Sequence, residues 1–442
     1  MSIRFSRYLR QRVREGIVAV FHELHPVPLY LPEKEWVSIK GVADLPEGMS
    51  VELRQRRLIV SDDKDDVLEY QRAVTELRHK LSRPNILYLK LADDCNYACS
   101  YCPCAESIVG IRLSLVDALS GVRLWRSHLA DYPGSDLNPY VIFYGGEPLL
   151  NRSVFLGALQ EVGCMIAREE LPKNTKLMLA TNGDLLDDEL IEACAKWGVE
   201  VAIGLDGLPG LEEMLRLDRQ GHPTFDRSVA IIRRLIECGI VVTVSVSITP
   251  ANLERLADVP VFLESLGVNR FGFNFLKGCW VAKMFPGVPR EEYYLRASRA
   301  IIGSFRRHAR TGYEYQMARK VAAFESQEFF PVDCACYGNQ LVIRADGRVA
   351  HCPFQDETYG SVLDLQESFR IQNQPQVREL QGRHMLLHPE SERRDFLALS
   401  GAGCAWSSHE ATGDSMSEDS ASSIFAREVF DELIWSKLER KP

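Results

Sequence analysis

The 442 residues are 46% hydrophobic and 26% charged, a composition that buries one large core with one or two smaller ones and excludes disordered and collagenous chains. With 61 acids against 52 bases the formal charge is −9, which offers phosphate polymers no general attraction and argues against a nucleic-acid partner. The longest apolar runs, such as Val141–Phe143 and Ile240–Val246, fall far short of the roughly 18 residues of a membrane span, and no secretion signal follows the basic N-terminus, so a cytoplasmic chain without membrane contact is expected.

Residues 1–82 read as a small α+β module. It has a basic amphipathic start, β-like stretches at Gly16–Phe21 and Val27–Leu31, an acidic turn at Ser61–Asp66 and a charged helix over Val67–Leu81. Residues 83–310 change to alternation. Strands are predicted at Asn85–Leu91, Tyr140–Tyr144, Lys176–Thr181, Glu200–Leu205, Val241–Thr249 and Arg270–Leu276, with helices at Ser114–Ala130, Arg152–Glu170, Asp187–Gly198, Asp226–Cys238 and Asn252–Leu266. Strands that alternate with helices imply a parallel sheet with right-handed crossovers, here an open or partial barrel. Arg290–Arg310 reads as a further helix. Residues 311–406 form a third unit, in which Gln340–Arg344 and Val349–Cys352 flank an Asp346-Gly347 hairpin turn. In residues 407–442 a Ser- and acid-rich linker, Ser407–Ser423, leads to a closing helix. Its Phe425, Val429, Phe430, Leu433 and Ile434 recur at helical spacing and should dock onto the body.

Twelve cysteines in a reducing compartment do not make a disulfide framework. Cys164, Cys194 and Cys238 stand singly and read as small core residues. Cys95, Cys99 and Cys102 follow the first barrel strand on one loop, at the end of a β/α sheet where active sites lie. Thiolates select zinc or iron–sulfur clusters. With Cys104 as a fourth ligand the loop would close a zinc site; with three ligands it would leave one iron of a [4Fe–4S] cluster open.

The spacing CxxxCxxC, with Tyr101 before its last cysteine, resembles the signature of radical S-adenosylmethionine enzymes. Gly145-Gly146-Glu147-Pro148, at the end of the next strand, is similar to their GGEP motif. That resemblance implies that backbone and carboxylate hold the methionine amino group, the glycines letting the backbone approach the ligand. Ala180-Thr181-Asn182-Gly183 resembles their TNG segment, and Leu205-Asp206-Gly207 ends the fourth strand. Arg216, ahead of Gly221-His222-Pro223-Thr224-Phe225-Asp226, resembles the arginine that pairs with the cofactor carboxylate in peptide- and sulfatase-modifying members. Those members usually carry a serine where this chain has Gly204, so the hydroxyl contact is missing or comes from Ser245 or Ser247. Cys336, the run Gly347 to Cys352, and Gly403-Cys404 resemble the SPASM/Twitch extension. The implied set is one auxiliary [4Fe–4S] cluster on Cys334, Cys336, Cys352 and Cys404, although the same four positions would also clip a zinc ion.

The resemblance, covering about residues 85–410, implies a partial (β/α)6 barrel with an N-terminal α+β module and a Twitch/SPASM-like extension. It implies two [4Fe–4S] clusters and S-adenosylmethionine, which together give a 5′-deoxyadenosyl radical, and a reducing partner such as flavodoxin or ferredoxin. The expected function is maturation of a ribosomally synthesised precursor peptide by a carbon–carbon or thioether cross-link. The first module is similar to leader-recognition modules, to which a peptide can add as a strand. One alternative is a peptide epimerase in which Cys279 returns the hydrogen atom; another is a zinc-clipped, non-enzymatic interaction protein. Formylglycine formation is disfavoured, because the Asp that follows the GxxxxC cysteine in sulfatase-maturing members is replaced by Pro353-Phe354-Gln355, and Asp356 reads as a turn residue.

Overall fold

A computed structural model describes residues 3–439 apart from 62, 82, 103–109, 134–137, 211–214, 279, 309–311, 327–331 and 388–395. The first module comprises β1 (Arg4–Phe5), β2 (Leu9–Arg14), β3 (Ile17–His22), β4 (His25–Pro32), α1 (Glu33–Ser38), α2 (Glu47–Gln55), β5 (Ile59–Val60) and α3 (Asp63–Leu81). The basic start is therefore strand, with Arg10, Arg12 and Arg14 alternating against Leu9, Gln11 and Val13. Glu15 and Gly16, both at positive φ, form the tight turn of the β2–β3 hairpin.

That turn fixes which edge of the sheet is open. In a two-residue hairpin the flanking pair, Arg14 and Ile17, exchanges both hydrogen bonds, and pairing then alternates along the antiparallel order β2-β3-β4. Val18 and Val20 consequently bond to Leu31 and Leu29, which leaves Pro28, Tyr30 and Pro32 directed at the outer edge of β4. Two of these positions have no N–H, and Arg56 donates to the carbonyls of Val27 (3.2 Å) and Pro28 (3.4 Å). The β4 edge is closed to a further strand, and the edge without proline is β2.

The barrel strands are β6 (Ile86–Ala92), β7 (Tyr140–Gly145), β8 (Lys176–Thr181), β9 (Val199–Gly204), β10 (Val242–Ser247) and β11 (Arg270–Asn274). They alternate with α4 (Leu115–Leu129), α5 (Arg152–Ala167), α6 (Asp188–Trp197), α7 (Phe225–Glu237) and α8 (Val259–Ser265), and every barrel pairing is parallel. Leu177, Leu179, Val201, Ile203, Val244 and Val246 face the helices and are buried. The alternate positions, among them Tyr88, Tyr144, Ala180, Gly204, Ser245 and Asn274, line the inside. The predicted helix at Asn252–Leu266 is shorter than expected, because Pro260 at the start of α8 has no N–H to continue a helix from the 3₁₀ turn Leu253–Asp258.

Beyond the barrel come α9 (Trp280–Met284), α10 (Arg290–His308), β12 (Tyr313–Glu314), α11 (Tyr315–Ser326), β13 (Gln340–Ile343), β14 (Val349–Ala350), α12 (Pro375–Gln381), α13 (Ala405–Thr412) and α14 (Ser420–Glu439). The expected hairpin is present, with Gly347 at φ +77 in its turn. It is not a separate sheet: β13 pairs in parallel with β6, giving one sheet of order β12-β11-β10-β9-β8-β7-β6-β13-β14. The expected linker is largely structure, since Ser407, Ser408, Asp419 and Ser423 are buried and α13 and the start of α14 occupy it. Its short polar side chains bond local backbone, as where Ser408 donates to the Cys404 carbonyl. Helix α14 docks as its spacing predicts, with Phe430 against Phe21 at 5.0 Å and Phe324 at 6.3 Å. Among the described residues no helix is long and apolar enough to cross a membrane.

Candidate active site

The cysteine loop after β6 is held by main chain from two sides. Ala98 N–H donates to Leu217 O (2.8 Å) and Ser100 N–H to Leu215 O (3.0 Å), zipping the loop to the segment that carries Arg216. From the other side, Gly146 N–H donates to Ala92 O (2.9 Å) and Glu147 N–H to Asp94 O (2.8 Å). A Cβ on Gly146 would lie 2.3 Å from Asp94 O, and one on Gly145 2.5 Å from Ala92 O. Glycine is thus required where the end of β7 approaches the chain leading into the cysteine loop, a reason that stands beside the expected approach to a ligand.

Glu147 is also bonded within the chain itself. Its buried carboxylate accepts from Leu149 N–H (2.9 Å), Thr181 Oγ1 (2.7 Å) and Asn182 N–H (2.8 Å), so it turns inward and clamps the Thr181-Asn182-Gly183 turn. Burial pushes it up to about 7 against the opposing pull of those donors. Asn182, held in this way, donates to Asn96 Oδ1 (2.7 Å) and approaches Cys95 Sγ at 3.6 Å. Asn96 continues to Asp184 (3.1 Å), which pairs with Arg227 (3.0 Å).

Arg216 is buried and lies outside any helix. It donates to the Tyr101 hydroxyl at 2.7 Å and sits 3.5 Å from Asp206, to which Tyr101 also donates. Asp206, which motif reading left without a role, closes this network, and it accepts from Ser247 N–H as well (2.8 Å). The guanidinium occupies the space over Gly204, where a Cβ would lie 2.6 Å from Arg216 Nη1. The serine usual at that position is therefore sterically replaced by Arg216. Ser245, one strand away, accepts from Asn274 (2.7 Å), whose Oδ1 accepts from Tyr315 (2.7 Å).

Cys95 and Cys102 are half-buried and Cys99 is buried. Burial pushes the Cys95 thiol up to about 12, with Glu147, Cys99 and Cys102 adding to the rise and Tyr97 N–H opposing it. Of the single cysteines, Cys194 is buried in the core as expected, but Cys164 is half-buried and Cys238 is exposed at the C-cap of α7. Cys104 and Cys279 lie outside the described residues.

The second set comes from three chain segments. Cys334 touches Cys336 and Cys404, and Cys352 faces Cys334 and Cys404. The contact with Cys336 leads the causes that push Cys334 up to about 12. Asp333 joins two of the segments, accepting from Gly401 N–H (3.1 Å) and Gly403 N–H (3.0 Å) and pairing with buried Lys320 at 3.0 Å. Tyr88, inside the barrel, faces Cys334 and Cys352. Rings continue from it through Tyr144 (5.7 Å) and Phe354 (6.2 Å) to Trp406 (4.8 Å).

Among the described residues no three His, Cys, Asp or Glu side chains converge as a single-ion site. Both sets offer thiols alone, the donor chemistry of iron–sulfur clusters. The first set, beside a buried Tyr–Arg–Asp network, fits a cluster with an anionic cofactor end next to it.

Residues 89–263 match the sequence profile of the Radical SAM superfamily. The AdoMet-dependent heme synthase of Methanosarcina barkeri (strain Fusaro / DSM 804) is 27% identical over 195 residues, 44% of this chain and 51% of that protein. The serine-type anaerobic sulfatase-maturating enzyme of Klebsiella pneumoniae is 24% identical over 277 residues, 61% of this chain and 68% of that one. The chain thus spans about half the length of the first of these relatives. In fold it resembles native anSMEcpe with bound AdoMet, at TM-score 0.64 and 16% identity over 80% of this chain and 98% of that one. It also resembles Streptococcus suis SuiB bound to S-adenosylmethionine, at TM-score 0.55 and 14% identity over 95% of this chain and 99% of that one. The barrel is a radical SAM domain with an additional C-terminal region, and the cofactors of that superfamily are a [4Fe–4S] cluster and S-adenosylmethionine.

Proposed function

We propose, on the premise that residues 89–263 are a radical SAM domain, that this chain matures a ribosomally synthesised precursor peptide by forming a carbon–carbon or thioether cross-link. When bound, the cluster and S-adenosylmethionine supply a 5′-deoxyadenosyl radical that abstracts a hydrogen atom. The chain's own residues position these groups. Cys95, Cys99 and Cys102 would hold the radical-site cluster. Tyr101, Gly145, Gly146, Glu147, Asn182, Arg216 and Ser245 would border S-adenosylmethionine, with Arg216 toward its carboxylate and Glu147 also fixing the turn that presents Asn182. Cys334, Cys336, Cys352 and Cys404 would hold the auxiliary cluster. A flavodoxin or ferredoxin would deliver the electron.

The observation that carries the reading is the position of Tyr88, which faces Cys334 and Cys352 from inside the barrel. The second thiol set therefore borders the interior where a substrate would sit. A cross-link is an oxidation of the peptide, and a second redox centre against the lumen suits an oxidation better than an isomerisation, which removes no electrons overall. Peptide-bound relatives of the same fold, anSMEcpe with Cp18Cys peptide and SuiB with precursor peptide SuiA, support a peptide substrate. If the N-terminal module binds a leader by strand addition, the edge suited to it is β2, because prolines close β4.

The test is anaerobic incubation of reconstituted protein with S-adenosylmethionine, dithionite and short peptides encoded beside its gene. Loss of two hydrogen atoms from the peptide is the expected product mass. An unchanged mass in water, rising by one unit in D₂O, would replace the cross-link with epimerisation.

A further inference from the structure

The turn after β11 carries a cation that no motif accounts for. Lys277 is half-buried, and its ammonium faces the thiols of Cys404 and Cys334, the Asp419 carboxylate and Tyr294. Tyr315 borders it from the barrel. Its placement follows from close packing. Gly278 has φ +48, and a Cβ there would lie 2.4 Å from Cβ of Glu410 on α13. The turn is therefore pressed onto the helix that begins directly after Cys404. Asp419 is tied to the same segment: its Oδ2 accepts from Cys404 N–H at 2.8 Å, and a Cβ on Gly403 would lie 2.4 Å from its own Cβ.

The other sides of the cradle are occupied differently. Tyr88 faces Cys334 and Cys352. Tyr337 faces Cys336, Cys334 and Cys404, and it takes a hydrogen bond from Arg383 at 2.6 Å. Arg383 is further bound to Ser408 Oγ (2.8 Å) and Ser417 O (2.6 Å), so its guanidinium serves the scaffold behind Tyr337. Lys277 comes from the barrel, and its charge acts on Cys404 and Cys334 from that side.

We propose that Lys277 is a positioning residue that supplies the counter-charge of the auxiliary site and raises the reduction potential of a cluster held by Cys334, Cys336, Cys352 and Cys404. The inference rests on reading those four cysteines as [4Fe–4S] ligands. Reducing such a cluster by one electron adds one negative charge, and a nearby fixed cation favours the more negative form. Partial burial strengthens that interaction relative to water. Asp419, which faces the same ammonium, offsets part of the effect.

The experiment uses the full chain with Cys95, Cys99 and Cys102 all changed to Ala, so that only the auxiliary site loads. After anaerobic iron loading, an EPR-monitored titration with dithionite and redox mediators gives its midpoint potential. Lys277→Met should move the midpoint to more negative potential at an unchanged content of about four irons per chain, and Lys277→Arg should keep the parent value. Loss of iron in the Met variant with retention in the Arg variant would also support the counter-charge. A Met variant with the parent midpoint, or equal loss of iron from both variants, would overturn the proposal. Absence of auxiliary iron in the Lys277-containing parent would remove the cluster reading itself, and with it the role of Lys277.

Discussion

The two cysteine sets solve the same problem from opposite starting points. Cys95, Cys99 and Cys102 share one loop, and its shape comes from main-chain bonds to residues 215–219 and to Gly146 and Glu147. Cys334, Cys336, Cys352 and Cys404 are drawn from distant segments that buried side chains bring together, above all Asp333 with Lys320, and Asp419. A local ligand set needs a backbone that fits around it. A dispersed set needs charged struts, which are costly to bury alone and strongly destabilising to break.

The largest expected effect separates the two sets directly. With anaerobic reconstitution the chain should bind about eight irons, four for each cluster. Changing Cys95, Cys99 and Cys102 together to Ala should leave about four and abolish formation of 5′-deoxyadenosine, as iron analysis and chromatography would report. Retained cleavage of S-adenosylmethionine would mean that this loop is not the reactive site.

The converse break goes through the strut. Lys320→Met leaves the Asp333 carboxylate without its ammonium, a change of about 3–5 kcal/mol when a buried pair is broken. Urea unfolding should show that loss, and about four irons should go from the auxiliary site while the radical loop keeps its own. Equal loss from both sites would show that the two are one cooperative unit.

How much of this was legible follows from the same contrast. The six barrel strands could be placed to within a few residues, because alternation of buried Leu, Val and Ile against small or polar residues is a local property. CxxxCxxC and Gly145-Gly146-Glu147 were visible for the same reason. The linker at Ser407–Ser423 was misread because serine and acid content signals solvent exposure only on average; here Asp419 caps the Cys404 backbone and Ser408 bonds a carbonyl, which no composition reveals. The inward turn of Glu147 and the seat of Arg216 over Gly204 depend on neighbours far away in sequence. Asp333, beside Cys334, was the nearest thing to a missed signal. An acid next to a thiol ligand suggests a strut, but its lysine partner lies on α11.

A finer break concerns the barrel mouth. Because the guanidinium fills the space over Gly204, Gly204→Ser should displace Arg216 and weaken S-adenosylmethionine binding by about tenfold, or about 1.4 kcal/mol. Arg216→Ala should weaken it by at least as much, through loss of a charge-assisted contact. Anaerobic equilibrium binding with iron content unchanged is the measurement. If Gly204→Ser binds as tightly as the parent, the arginine has another place to sit.

The last effect, visible only as a change with pH, concerns the helix that supports the auxiliary site. Glu314 accepts from Phe273 N–H (3.1 Å), Gln316 N–H (3.1 Å) and Met317 N–H (2.7 Å), anchoring the start of α11, the helix that carries Lys320. Burial raises it from the ordinary 4.5 to about 7, against the lowering effect of those three donors. The native carboxyl therefore holds its proton more tightly than the unfolded chain does. Its contribution to stability is full below about pH 4.5 and declines as pH rises to about 7. A displacement of that size corresponds to about 3 kcal/mol. Glu314→Gln removes the titration and one acceptor, at a pH-independent penalty of about 1 kcal/mol. In paired urea melts the variant should be the less stable protein at pH 4.5, gain on the parent through the window, and overtake it above pH 7. A difference between the two proteins that stays constant with pH would show that Glu314 is ionised throughout, and that α11 is anchored by a charge at its N-terminus.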